Sequence, residues 1–245
     1  MTFEILWKYG MLAYKTGTLH EDGKFTFPII IVLACAVLGY LLGSLNFGVI
    51  ISKFYGRDIR EVGSGNAGAT NMMRVYGKKA SILTFVGDAS KSIVAVLLSR
   101  FLLLGGLGAY IAGLFVIIGH AWPLYFNFRG GKGVSAIAAF CLVTDPITFV
   151  IELAIFLAIL FSFKMVSLGS IMIALVYPFI LNLRGEAGPN ILISFIMAGL
   201  VIFLHRKNLV RIFNHTEHKF KLGKKDKKEP VTENGEKEQN EENKE

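Results

Sequence analysis

Three short polar stretches of this chain combine glycine, hydroxyl or amide side chains and a cation, a mixture suited to holding anions. The first is Gly63–Arg74, GSGNAGATNMMR. Gly63, Gly65 and Gly68 permit close backbone approach there, while Ser64, Asn66, Thr70, Asn71 and Arg74 offer hydrogen-bonding groups. The second is Arg129–Gly133, RGGKG, where Gly130, Gly131 and Gly133 flank Lys132. The third is the run HRKN, with His205 and Asn208. Successive exposed amides at glycine-permitted angles, beside a lysine, form a nest for phosphate oxygens. The spacing therefore predicts phosphate binding at Lys132, since a lysine that only sets topology needs no neighbouring glycines. Arg74, Lys132, His205 and Arg129 as cations, with Ser64, Thr70, Asn71 and Asn208 as neutral donors, are enough for two or more phosphate groups.

Two nucleotide-binding patterns come close and fail. Gly63–Gly68 fits the dinucleotide spacing GxGxxG, and Asp88 lies at about the right distance for a ribose ligand. No strand precedes it, however, and Asp88 falls inside an apolar run. The RGGKG stretch has Phe126 in place of the first P-loop glycine and Gly133 in place of the hydroxyl that would hold magnesium. No carboxylate pair suggests glycosidase chemistry and no His/Cys cluster suggests a metal, so neither metal nor cofactor is expected. A nucleophile–base pair is not legible in the sequence.

The elements that must position these stretches are apolar. Of 245 residues, 53% are hydrophobic and 20 are phenylalanine, too apolar for an ordinary soluble domain. A hydrocarbon core of roughly 30 Å needs about 20 helical residues. Successive runs predict about seven transmembrane helices: Phe27–Ser52, Ala80–Leu104, Gly105–Ile118, a short Val134–Val143, Ile147–Phe163, Leu168–Leu183 and Asn190–Leu204. The fold class is an all-α integral membrane protein. Gly39, Gly43, Ser44 and Gly48 recur at helical spacing and predict a small-residue packing face. Asp88 and Lys91 share a helix face and can pair, either to tie helices together or to line a wet cavity.

Lys53–Lys79 holds six basic residues against Asp58 and Glu61, the excess of a cytoplasmic loop. With seven crossings, Gly119–Lys132, Lys164 and the His205 region join it inside, and Arg100, Asp145 and Arg184–Glu186 lie outside. The N-terminus is then outside and the C-terminus in the cytoplasm, with the motif loops on the cytoplasmic face. The net charge of +8 reflects loops facing anionic headgroups rather than nucleic acid. Residues 1–27 read as an extension, either partly helical at the interface or disordered. Residues 28–220 form the membrane domain, and 221–245 read as a charged disordered tail. HRKNLVRIF is basic and amphipathic and should lie along the surface. Cys35 and Cys141 sit in apolar surroundings and suggest no disulfide framework.

GSGNAGATNMMR, GDASKS, GHAWPLYFNFRGGKG and HRKNLVRIF, in this order between these spans, resemble the bacterial membrane acyltransferases that acylate glycerol 3-phosphate from acyl phosphate. The resemblance covers residues 29–220. Departures are Ala67 for a frequent proline, Ser92 for glycine, Ser135-Ala136 for Ala-Thr, and His215 for the glycine before Glu217. The resemblance implies a bacterial plasma-membrane enzyme of phospholipid biosynthesis, making lysophosphatidic acid and coupled to the enzyme that supplies acyl phosphate. It implies that Ser64 and Arg74 contact substrate phosphates, that Lys132 with Gly130, Gly131 and Gly133 forms the glycerol 3-phosphate loop, and that His205 and Asn208 hold substrate oxygens. Ser170 is a further expected contact, and Gly65, Asn66, Gly68, Thr70 and Asn71 shape and line the first motif. No protein nucleophile is implied; His205 as general base competes with proton transfer to the substrate's own phosphate. The alternative class is an organic-phosphate or lipid carrier, for which Asp88, Lys91 and Glu152 would be the relevant features.

Overall fold

A computed structural model describes residues 3–16, 18–19, 25–26, 29–186 and 188–220. The expected 221–245 tail lies outside the described residues. The N-terminal extension is partly helical: α1 (Phe3–Tyr9) and α2 (Met11–Thr16) precede a two-residue antiparallel ladder, β1 (Thr18–Leu19) with β2 (Phe25–Thr26). That ladder is the exception to an otherwise helical chain among the described residues.

The first apolar run breaks where continuity was expected. α3 (Ile29–Gly43) stops, and α4 (Phe47–Lys53) restarts behind Asn46, whose side chain accepts from Val49 N at 3.1 Å and caps the new helix. α5 (Ala69–Tyr76) carries the end of the first motif, and α6 (Lys78–Leu98) follows at once. A π-helical turn, Ser99–Leu104, reverses the chain into α7 (Gly105–Ala121). Then come α8 (Val134–Thr144), α9 (Pro146–Phe163), α10 (Val166–Leu183), α11 (Pro189–Leu204) and α12 (Arg206–Phe213). Asp145 caps α9 by accepting from Ile147 N and Thr148 N, with Pro146 at its first position.

Four stretches are long and apolar enough to cross a membrane: Ile29–Lys53, Lys78–Phe126 (which contains the α6–α7 hairpin), Pro146–Phe163 and Val166–Leu183. α11 and α12, bent by 58°, make a fifth if taken as one span. At 11 residues α8 is shorter than a bilayer requires. The small-residue face packs as anticipated. A Cβ added at Gly39 or Gly43 would lie 2.5 Å from the carbonyl oxygens of Ala112 or Val116, so α3 and α7 run in backbone contact. Gly48 does something else, abutting the Ala67 carbonyl of the first motif. The central core stacks Tyr110, Phe140 and Tyr177 edge-to-face, while α9 leaves Val150, Leu153 and Phe161 exposed, as a lipid-facing helix does.

Cross-links define the two ends of the bundle. At one end, Arg60 Nη1 donates to the carbonyls of Phe126 (2.7 Å) and Arg129 (3.0 Å), joining the first and second polar loops. Phe220 N donates to Lys164 O at that same end, at 2.5 Å. At the other end, Arg184 Nε meets Asp145 Oδ2 at 2.7 Å, and Arg100 stacks on Trp7 of α1. The motif loops thus share one end, and the N-terminal extension docks at the opposite one.

Candidate active site

The first wall is the loop from Phe54 to Gly68. Ser52 Oγ accepts from Ile59 N, and Asp58 pins Arg60 through its backbone and side chain. Buried Asn71 holds the loop from within. Its Nδ2 donates to the carbonyls of Ile59 (3.2 Å) and Val62 (3.0 Å), while its Oδ1 accepts from Ser64 N (2.9 Å) and Arg74 Nη1 (3.5 Å). Asn71 is therefore occupied in shaping the loop rather than free for a ligand, and in doing so it brings Ser64 and Arg74 together. Both of those side chains are exposed, as are Gly65 and Thr70; Asn66 and Gly68 are half-buried where the chain enters α5.

The second wall departs from the expected nest. Gly130 N donates to Ala121 O (3.1 Å) and Gly131 N to His120 O (3.0 Å), so these two amides dock the loop on the end of α7. The glycines are needed for that closeness, because a Cβ at Gly130 would strike the His120 carbonyl and one at Gly131 the His120 ring. Free amides lie one step on. Gly133 takes a left-handed φ of +74°, and its carbonyl receives Ile137 N, the first bond of α8. The amides of Val134, Ser135 and Ala136 have no intrahelical acceptor, and the positive end of the helix dipole adds to their pull on an anion.

The third wall is the break between α11 and α12. His205 is buried, and its Nδ1 lies 2.8 Å from Val201 O. A carbonyl only accepts, so Nδ1 carries the proton and Nε2 is the free acceptor in the neutral ring. Lys132 Nζ donates to Asn208 Oδ1, and Asn208 Nδ2 donates to Glu217 Oε1 at 2.6 Å. Glu217 also accepts from Ser167 Oγ (2.6 Å) and Arg211 Nε (2.7 Å). Burial would raise the Glu217 carboxyl, but these hydrogen bonds outweigh it and hold it below the usual range. Burial pushes Lys132 down to about 8; Glu217 opposes that shift, whereas the charges of Arg211 and Arg74 add to it. Arg74 is thus electrostatically coupled to Lys132, and the three walls face one another.

Ser170 stands apart. Its Oγ turns back to Val166 O (2.9 Å), and it lines an apolar cavity of about 150 Å³ between α6, α8, α9, α10 and α11, with Phe85, Val134, Phe156 and Val201. The cavity adjoins the cation cluster, since Val134 follows the glycine loop and Val201 lies one turn from His205. Arg129 is exposed and its backbone carbonyl serves Arg60. Glu217, Arg211 and Ser167 were missed as site residues in the sequence. The readable clue was one acid, Glu217, in an otherwise basic segment, with Arg211 one helical turn after Asn208.

A sequence model described as Glycerol-3-phosphate acyltransferase matches residues 33–215. The chain belongs to this family. A glycerol-3-phosphate acyltransferase of Thermoanaerobacter pseudethanolicus is 40% identical over 191 residues, covering 78% of this chain and 95% of that protein. One of Pseudomonas aeruginosa is 42% identical over 187 residues, covering 76% and 97%. Among solved structures, the glycerol 3-phosphate form of PlsY, an integral membrane glycerol 3-phosphate acyltransferase, superposes with a TM-score of 0.72 at 32% identity, over 78% of this chain and 96% of that one. Its lysophosphatidic acid form gives 0.70 at 31% identity, over 78% and 95%. This family member is an integral membrane protein of lipid biosynthesis, and both α1–α2 and Glu217 lie outside the matched segment. Three departures from the family pattern acquire a structural reading. Ser92 Oγ donates to Ala136 O at 2.8 Å, so both altered positions meet between α6 and α8, and His215 takes the φ of +55° that glycine would accept without strain.

Proposed function

We propose that this protein transfers a fatty acyl group from acyl phosphate to the 1-hydroxyl of glycerol 3-phosphate, giving lysophosphatidic acid and phosphate for phospholipid synthesis. The observation that carries the reading is the convergence of Arg74, Lys132, Asn208 and Arg211 beside an apolar cavity. Such a site suits two anionic headgroups and one acyl chain. Support for the topology comes from the shared end of the motif loops and their basic excess: seven crossings, N-terminus outside, and the site facing the cytoplasm of a bacterial plasma membrane.

Acyl phosphate is a mixed anhydride, so no protein nucleophile is needed. The 1-hydroxyl oxygen attacks the acyl carbon, the bond from that carbon to the phosphate oxygen breaks, and the hydroxyl proton passes to a phosphate oxygen or to His205 Nε2. Lys132 and the first amides of α8 hold the glycerol 3-phosphate phosphate, and Ser64 and Arg74 hold the donor phosphate. Asn208, oriented by Glu217, and His205 attend the reacting oxygens. Holding the two substrates in fixed orientation supplies several kcal/mol, on the order of 7–11 in ideal cases; the cations offset the repulsion of the two anions, and donors aimed at the developing oxyanion add to it. Ser170 belongs with the acyl chain rather than with the phosphates.

The test is a purified-protein assay supplying acyl phosphate, acyl-CoA or acyl-carrier protein with glycerol 3-phosphate. Lysophosphatidic acid from acyl phosphate alone is the expected result. Product only from a thioester donor refutes the donor assignment, and uptake into vesicles without product favours a carrier.

A further inference from the structure

We propose that Asp88, Lys91 and His120 are positioning residues that set the spacing between the Ser64–Arg74 wall and the Lys132 wall; this rests on the phosphate-cradle reading above. The three are almost fully buried, at 0%, 4% and 3% exposure. Lys91 Nζ lies 2.9 Å from Asp88 Oδ1, 2.9 Å from His120 Nδ1, 2.9 Å from Gly43 O and 2.7 Å from Leu45 O. Asp88 Oδ1 also accepts from Phe47 N at 3.3 Å.

The polarity of this pair matches the broken helix beside it. The ammonium binds the carbonyl of Gly43, the last residue of α3, and that of Leu45 in the break, and the carboxylate binds the first amide of α4. A pair that merely tied helices would work in either orientation, whereas this one works in one. It fixes the angle at which α4 departs, and α4 carries Gly48 against the Ala67 carbonyl of the first motif.

His120 transmits the same constraint to the second wall. His120 Nδ1 lies 2.9 Å from Lys91 Nζ and 3.5 Å from Asp88 Oδ1; facing an ammonium, which only donates and shares its three protons among four acceptors, Nδ1 is the acceptor in the neutral ring. Its backbone carbonyl receives Gly131 N at 3.0 Å, and its ring occupies the space a Gly131 Cβ would fill. That same point lies 3.3 Å from Ala67 O. The imidazole therefore sits at the seam where the two glycine motifs meet, one residue from Lys132. Shifting it by an ångström misplaces Lys132 against Arg74, a displacement able to cost about a hundredfold in rate.

The experiment uses the full chain purified in detergent, with glycerol 3-phosphate binding measured calorimetrically without acyl donor, alongside steady-state kinetics and thermal unfolding. His120→Leu should weaken glycerol 3-phosphate binding and raise its KM by about tenfold or more and lower kcat, with the unfolding temperature held within a few degrees. His120→Asn, which keeps an acceptor for Lys91, should recover most of the binding. The exchanged pair Asp88→Lys with Lys91→Asp retains the charges but reverses the caps, and should not recover. Should His120→Leu fail to fold, His120→Asn and the exchanged pair carry the test. Undiminished binding in His120→Leu, no benefit of Asn over Leu, or full function in the exchanged pair overturns the proposal. Lys132→Ala separates the two readings. If it binds normally, the cradle itself is wrong; if it loses binding while His120→Leu keeps it, only the positioning role falls.

Discussion

Glu217→Gln tests the site through a residue that touches no substrate in the proposed mechanism. Glu217 accepts from Asn208 Nδ2, Ser167 Oγ and Arg211 Nε at 2.6, 2.6 and 2.7 Å. Hydrogen bonds to a charged group are worth about 1.5–3 kcal/mol each. Glutamine keeps one oxygen and turns its amide nitrogen toward a donor, so at least one bond is lost and another weakened, a cost of about 2–4 kcal/mol. If half or more of this reaches the transition state through a mis-set Asn208, kcat/KM falls on the order of 5- to several-hundred-fold. The pH profile gives an independent readout. Lys132, held at about 8, is needed as the ammonium, so kcat/KM for glycerol 3-phosphate should decline as pH rises through that value. The Glu217 charge favours the ammonium; removing it lowers the lysine further and moves the alkaline limb toward acid. Phosphate release measured from about pH 6 to about pH 9.5 covers both sides of the limb. An unmoved limb with kcat/KM near wild type would refute the Asn208–Glu217 linkage.

Other expectations follow from the same geometry. Arg74→Ala and Lys132→Ala should abolish product formation while membrane insertion persists, and Lys132→Arg should do nearly as badly because a planar fork cannot replace a compact ammonium; wild-type turnover in either alanine variant counts against the cradle. Asn71→Ala removes three or four loop-holding bonds and should destabilise by about 2–4 kcal/mol, with faster proteolysis within 59–65. A purely ligand-binding Asn71 would instead leave proteolysis unchanged. His215→Gly should stabilise by up to about 1 kcal/mol, since a non-glycine residue at φ +55° pays the left-handed penalty, and a lowered melting temperature would contradict this. His205→Gln separates base from binder: an unaltered pH–rate shape with reduced rate assigns His205 to binding, whereas loss of the acidic limb assigns it to proton transfer.

Helix content and the order of the motifs were legible because bilayer chemistry leaves few options. Long apolar runs must become helices, and polar glycine-rich segments must collect at their ends. The Asp88–Lys91 pair followed from helical spacing alone. What escaped were consequences of chain reversal. The break at Ser44–Asn46 depends on Lys91, 46 residues beyond Leu45, and the occupied amides of Gly130 and Gly131 depend on the end of α7 lying beneath them. Asn71 reads as a ligand in the sequence because its amide is polar and near Arg74; only its burial under the Ile59 and Val62 carbonyls shows it to be a loop clamp.

Composition and local spacing, then, suffice for a helical membrane protein with three polar, cation-bearing motifs between its apolar runs, since burial of apolar side chains and charge bias act residue by residue. Which atoms remain free to bind was decided by packing. Hydrogen-bond donors are limited in number, and the fold assigns the Gly130, Gly131 and Asn71 groups to its own framework. It leaves the Ser64 and Arg74 side chains exposed and holds Lys132 against Asn208, with Glu217 recruited from beyond the last helix to orient Asn208.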